Sequence, residues 1–283
     1  MKTTEGGIAA DAPRPHGGAA LLPAAWRPIA LIACHAIALA ILASWIWTPA
    51  RAAWDALDAS FFHAVNGSLA GAGGWARAMA LANMRLADAF VAIVMLAFLL
   101  RAGWIFRREQ VRPALYAMLA LLALLLAIRE GVFAELVRAM HWQRESPSLT
   151  LQGAVRLGRM FPGLDHAVHI KDSSSRSFPG DHASVVFIWA AFLWRSASGP
   201  KRALIAVLSA IFVLPRLVAG AHYLSDVLVG GVVLALLAYG WGLCTPFTAR
   251  AAALLERLAR PMMRRLAALP GLGRLSVMAG IAE

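Results

Sequence analysis

Apolar runs close to the span of a bilayer recur from residue 28 to residue 245, and this recurrence constrains the chain more than any other feature. In hydrocarbon every backbone N–H and C=O must be satisfied within the segment, so such runs cross as helices. The runs are Pro28–Trp47, Ala87–Leu100, Pro113–Ile128, Ala183–Trp194, Ala203–Val218 and Val227–Leu243. No stretch between them is able to build a separate soluble core. The expected fold is therefore an all-α, polytopic membrane bundle of about six transmembrane helices. Ala87–Leu100 and Ala183–Trp194 are short enough to be buried core helices instead. Composition agrees, since only 15% of the residues are charged, against about a quarter in a soluble domain.

The expected organisation is a mobile cytoplasmic tail over 1–27, a six-span membrane catalytic domain over 28–245, and a basic amphipathic cytoplasmic tail over 246–283. The first 27 residues contain Asp and Glu and are rich in Pro, Gly and Ala, unlike the short basic start of a cleaved leader, so the first run reads as a retained span. The net charge is +12, but the basic residues sit between apolar runs rather than in a surface stripe. That pattern argues against nucleic acid and for anionic phospholipid at the inner surface. With the N-terminus inside, 16 of the 27 Lys and Arg residues fall on the cytoplasmic side and nine in outer loops, which puts both termini in the cytoplasm. The stretch Arg250–Arg265 interleaves five arginines with Leu, Ala and Met, as a helix on an anionic surface does. Trp45, Trp47, Trp54 and Trp104 fall where interfacial aromatics are favoured. Cys34 and Cys244 lie inside apolar runs and read as packing residues, without a disulfide or a metal.

The outer loop, about 137–181, runs against the charge rule with Arg138, Arg144, Arg156, Arg159, Lys171 and Arg176. Such an exception asks for a negatively charged ligand. Three polar clusters share that side: Trp142–Pro147, Lys171–His182 and Pro215–Asp226. His222 and Asp226 are four residues apart, so a helix beginning near His222 would place both on one face and let the carboxylate fix the imidazole tautomer. An imidazole so oriented is a nucleophile or a base. Arg216 carries a fork suited to phosphate oxygens. His182, after the Pro179-Gly180-Asp181 turn, stands at a helix start where an anion is favoured and a leaving group can be protonated.

Other residues read as structural. His35 is a packing contact, and His16, His63, His141, His166 and His169 lack a comparable constellation. Ser173, Ser174, Ser175 and Ser177 have no base of their own, which argues against a serine hydrolase. Asp172 and Asp181 lack the spacing of a two-metal site, so no metal and no cofactor are expected. Arg129 and Glu130 read as an ion pair turned inward within the third span.

Ser177-Phe178-Pro179-Gly180-Asp181-His182 followed by Arg216-x5-His222-x3-Asp226 resembles the second and third signatures of the type 2 phosphatidic acid phosphatase superfamily of membrane lipid phosphatases. The resemblance implies that His222 attacks phosphorus, Asp226 orients it, His182 is the general acid, Arg144 and Arg216 hold phosphoryl oxygens, and no metal is needed. The chain departs from the pattern in three places. Gly180-Asp181 stands where Ser-Gly is usual, which places a carboxylate near the phosphate. Val137 occupies the usual lysine position of the first signature, so Arg138 or Lys171 substitutes. Pro215 replaces a serine.

Those departures, with Arg144-x-Ser146-Pro147, Lys171-Asp172-Ser173 and Asn83-x-Arg85-x2-Asp88, resemble one branch of the superfamily. Its enzymes move a phosphoryl group from undecaprenyl diphosphate to the 1-phosphate of lipid A. The expected protein is thus a bacterial inner-membrane phosphotransferase with a periplasmic site, whose phosphate-binding set is Arg216, Arg144, Lys171, Gly180 and Asp181. The alternatives are a lipid diphosphate phosphatase, with water as acceptor, and a silent lipid-binding scaffold. Asp181 has two readings: it pairs with Lys171, Arg176 or another loop cation to shape a two-phosphate site, or it caps the fourth helix.

Overall fold

A computed structural model describes residues 21–71 and 73–279, and the described residues form α-helices and turns without a strand. Each apolar run becomes a helix with bounds close to those expected: α1 (Pro28–Ile46), α4 (Arg85–Leu100), α5 (Val111–Ala127), α10 (Asp181–Trp194), α11 (Pro200–Val218) and α12 (Val232–Leu243). Proline begins α1 and α11, where its missing N–H costs nothing and its fixed φ suits a helix. α5 continues through a π turn (Ile128–Phe133) into α6 (Ala134–Ala139), and a second π turn (Asp226–Gly231) opens α12.

The remaining helices do not come from apolar runs. α2 (Thr48–Gly67) follows α1 directly and buries Asp58, Phe62 and Asn66, one residue every four, so its inward face is largely polar. α3 (Gly74–Ala82) meets α4 at 72°. The outer loop winds into α7 (Pro147–Thr150), α8 (Leu157–Met160) and α9 (Pro162–Val168), and α13 (Phe247–Ala267) closes the chain.

The bundle is a membrane bundle in which the count of six spans is not confirmed. Among the described residues, α1, the rod Arg108–Ala139 and the segment Asp226–Leu243 are each long and apolar enough to cross by themselves, and α3 with α4 qualifies as one bent unit. The 14 residues of α10 reach about 21 Å, short of the ~30 Å hydrocarbon layer. α11 has 19 residues but carries Lys201, Arg202 and Arg216.

α12 is the hub. α1, α5 and α10 pack on it, and α10 also packs on α11. Their shared core includes Leu121, Ile188, Trp189 and Leu234, all buried. The outward faces of α1 and α4 expose Ile29, Ile32, Leu39, Leu86, Phe90 and Ile93, an apolar exterior suited to lipid. Trp45 departs from the expected interfacial position: it is 1% exposed and stacks on Phe178 at 4.5 Å, whereas Trp47 is exposed.

Residues 1–20 of the expected N-terminal tail lie outside the described residues. Residues 21–27 run to α1, and the Arg27 N–H donates to the Cys244 carbonyl at 2.8 Å. At the other end α13 lies along α5, joined by Arg112–Glu256 at 2.8 Å. It buries Thr248 and Met263 and leaves Leu254, Leu258 and Met262 exposed, four residues apart along one edge.

Candidate active site

A tight turn joins α11 to the second π turn, and glycine makes it possible. Gly220 has φ +76°, and a Cβ there would lie 2.7 Å from Phe62 and 2.9 Å from Ser148. His222 follows in this turn, ahead of the helix, so the expected shared helical face with Asp226 is not formed. The nearest partner of His222 is instead a backbone group, with Nδ1 lying 2.8 Å from the Ser177 carbonyl oxygen. A carbonyl only accepts, so Nδ1 carries the proton and Nε2 keeps its lone pair. That Nε2 is buried and has no hydrogen-bond partner among the described residues. Asp226 Oδ2 stands 3.7 Å from Nδ1, near enough to supply charge, while Ser177 sets the tautomer.

Asp226 is held from behind. It is fully buried, Oδ2 accepts the Tyr223 N–H at 2.8 Å, and Oδ1 accepts from Arg144 Nη2 at 2.7 Å. Arg144 also reaches Asp58 at 3.3 Å, and its guanidinium lies 3.9 Å from the Tyr223 ring centre. The second carboxylate, on α2, accepts both the N–H and the hydroxyl of Ser225, at 2.8 and 2.5 Å. Burial raises the Asp58 carboxyl from its ordinary range, opposed by the Ser225 bonds and the Arg144 charge. Arg144, expected on the phosphate, is thus engaged with two carboxylates here.

The loop before α10 reaches the same turn. The Ser177 N–H donates to the Arg144 carbonyl at 2.8 Å, and the Gly180 N–H donates to the Asp226 carbonyl at 3.0 Å. A Cβ on Gly180 would sit 2.8 Å from that carbonyl oxygen. Gly180→Ala is therefore expected to push the two segments apart, lowering stability by about 1–3 kcal/mol and turnover by more than tenfold. Thermal unfolding and turnover in detergent test this; a variant matching the parent in both would show the contact to be slack.

Asp181 Oδ1 accepts the His182 N–H at 2.7 Å and lies 3.9 Å from His222 Nε2. Arg129 lies 3.9 Å from it, and the charge of Lys171, one of the expected partners, also acts on it. His182 Nε2 meets the Phe212 carbonyl at 3.1 Å, which puts the proton on Nε2 and turns Nδ1 toward Asp88, 4.0 Å away. Asp88 in turn takes Arg216 Nη2 on both its oxygens at 2.7 Å.

Two cavities flank this assembly. One, of about 190 Å³, is lined by His222, Asp181, Lys171, Arg176, Arg129 and Glu130, among others. The other, of about 350 Å³, has Trp75, Met79, Phe90 and Ile211 as walls and Asp88, His182 and Arg216 at its polar end. The expected residues thus divide: His222, Lys171 and Asp181 face the first cavity, His182 and Arg216 face the second, and Arg144 and Asp226 lie behind. Arg138, offered for the missing lysine, pairs with Glu135 on the exposed surface, which leaves Lys171 as the one of the two that lines the cavity. Sequence reasoning missed Asp58 and Asp88 as site residues. The one signal for Asp58 was its four-residue spacing with Phe62 and Asn66. Among the described residues no group of three or more His, Cys, Asp or Glu side chains is arranged to hold a metal ion.

The fold and site define a class, a helical membrane bundle with two histidines, Arg216 and Asp226 around adjoining cavities, and comparison finds that residues 157–250 match the model of the PAP2 superfamily. The resemblance read from the two signatures therefore stands. Lipid A 1-diphosphate synthase of Escherichia coli (strain K12) is 28% identical over 221 residues, covering 78% of this chain and 89% of that protein. No solved structure matches. Together the matches support an enzyme, a lipid phosphatase or phosphotransferase of the membrane.

Proposed function

We propose that the chain is a bacterial inner-membrane phosphotransferase that moves a phosphoryl group from undecaprenyl diphosphate to the 1-phosphate of lipid A through a phosphohistidine on His222. The observation that carries the reading is the buried, unpartnered Nε2 of His222 facing a cavity with a basic lining. In the first half-reaction its lone pair attacks the distal phosphorus and the bond to the bridging oxygen breaks, and His182 protonates that oxygen only as an imidazolium that carries a second proton on Nδ1 and reaches across from the adjoining cavity. Undecaprenyl phosphate leaves. In the second half an acceptor phosphate oxygen attacks the phosphohistidine, the N–P bond breaks so that Nε2 recovers its lone pair, and the acceptor's proton returns to His182. Lys171 offsets charge on the phosphoryl oxygens in the His222 cavity, Arg216 does so once it exchanges Asp88 for phosphate, and Arg144 acts by holding Asp226 beside the imidazolium side of the ring. No step requires a metal.

Incubating the purified protein with end-labelled undecaprenyl diphosphate and lipid A, and resolving products by mass, tests the reading. Label on lipid A supports it; label released as inorganic phosphate, equally with and without lipid A, supports a phosphatase; turnover of neither lipid leaves a scaffold.

The proposed placement is periplasmic, with both tails in the cytoplasm. The exposed apolar edge of α13 and its arginines suit the inner leaflet's anionic surface. In a background lacking Cys34 and Cys244, Ser174→Cys is expected to react with an impermeant thiol reagent on intact cells. Labelling that requires permeabilisation would place the chemistry in the cytoplasm.

A further inference from the structure

Five basic side chains stand near the two histidines, and two already have carboxylate partners of low exposure or close bidentate geometry. Arg144 is taken by Asp226 and Asp58, and Arg216 by both oxygens of Asp88. The cavity that His222 faces draws its positive charge from Lys171, Arg176 and Arg129. Lys171 and Arg176 come from the outer loop. Arg129 comes from the opposite wall, at the end of the long α5 rod, and it lies within the first π turn. A π turn re-aims side chains relative to the α-helix on either side and is common at functional sites.

The partners of Arg129 are weak ones. Its guanidinium meets its sequence neighbour Glu130 at 2.6 Å, but the Glu130 side chain is 58% exposed. An exposed ion pair is worth at most about 1 kcal/mol, so it yields readily to a better anion. The other partner, Asp181 at 3.9 Å, is beyond hydrogen-bond distance and itself lies 3.9 Å from the unpartnered His222 Nε2. A phosphate opposite Nε2 would lie between Asp181, Arg129 and the loop cations.

We propose that Arg129 is a phosphate-binding residue of the His222 cavity, released from Glu130 when a diphosphate enters and gripping it together with Lys171 and Arg176. This rests on the reading of His222 as the phosphoryl-accepting nucleophile. It assigns to Arg129 a role other than the inward structural pair expected from sequence. The planar fork takes two phosphate oxygens at once, which the single ammonium of Lys171 does not do. Facing one another across the cavity, the helix arginine and the loop cations accommodate an anion with more than one phosphate group, as a diphosphate or a pair of monophosphates presents.

The test uses the full-length protein in detergent with inorganic pyrophosphate as probe, read by thermal shift and by inhibition of turnover of a lipid diphosphate. Arg129→Gln is expected to weaken pyrophosphate about ten- to a hundredfold in both readouts, and Arg129→Lys to restore part of the loss. Glu130→Gln breaks the same ion pair from its other end. If Arg129 grips phosphate, this variant binds pyrophosphate at least as tightly as the parent; if the pair is only structural, both substitutions do the same damage. Equal pyrophosphate affinity in the parent and Arg129→Gln, equal damage from the two substitutions, or no pyrophosphate binding by the parent would each overturn the inference. The thermal shift does not depend on turnover, so a parent that binds pyrophosphate through Arg129 yet converts no lipid diphosphate would sink the proposed reaction and leave the anion site in place.

Discussion

Replacing His222 with alanine is expected to abolish turnover, by a factor on the order of 10⁴ or more, because no other group can take the phosphoryl covalently. The reasoning is geometric. The Ser177 carbonyl holds the proton on Nδ1, and Nε2 is left buried with its lone pair and no competing donor. The serines nearby offer no substitute: Ser174 and Ser177 have no imidazole or lysine bonded to their hydroxyls, and the Ser177 hydroxyl donates to the Arg144 carbonyl. Rapid quenching of the parent with end-labelled donor should trap an acid-labile, base-stable phosphoprotein, and the alanine variant should trap none. A phosphorylated His222→Ala protein, or one that still turns over at a tenth of the parent rate, would remove His222 from the mechanism.

Asp226→Ala is expected to damage both rate and stability, which distinguishes it from the nucleophile. Removing a fully buried carboxylate leaves the Tyr223 N–H without an acceptor and Arg144 with Asp58 as its remaining anion. Breaking a buried pair in this way costs about 3–5 kcal/mol. Turnover should fall by roughly 10²–10⁴, the range for losing a carboxylate behind a catalytic imidazole, with a weak remnant because Ser177 still fixes the tautomer. Asp226→Asn separates the two effects. Its amide oxygen can still accept from Tyr223, so much of the stability should return, whereas the charge facing the imidazole does not. Comparing unfolding temperature and phosphoprotein formation in the two variants checks this, and an asparagine variant at the parent rate would show the charge to be dispensable.

What the sequence discloses depends on the distance over which its signals act. The six apolar runs foretell six helices because hydrophobicity is a local property, and five of those helices begin within three residues of the expected position. Whether each helix spans is not local: α10 is short and α11 carries three basic residues, and both pack on neighbours they meet only in the fold. α2 escapes detection because its inward face holds Asp58 and Asn66 beside Phe62. The residues that carry the signatures divide between two neighbouring cavities, His222 with Asp181 at one and His182 with Arg216 at the other. Their partners do not follow from spacing. Ser177 is 45 residues from His222, Asp58 is 86 from Arg144, and Asp88 is 128 from Arg216, and no periodicity links such pairs. Arg129 and Glu130 look like a mutual pair in the sequence and do pair, yet only the π turn and the cavity show what else the arginine faces.

The meeting of Gly180 with the Asp226 carbonyl, and of Ser177 with both His222 and Arg144, makes the two signature segments a single mechanical part. An alteration in one is transmitted to the ring in the other. Acceptor preference is then hard to vary through residues 177–182, where any change also moves the nucleophile. On the proposed reaction, the freedom to evolve a new acceptor lies instead with the loop cations Lys171 and Arg176 more than with Arg129, which meets Asp181 of that same part.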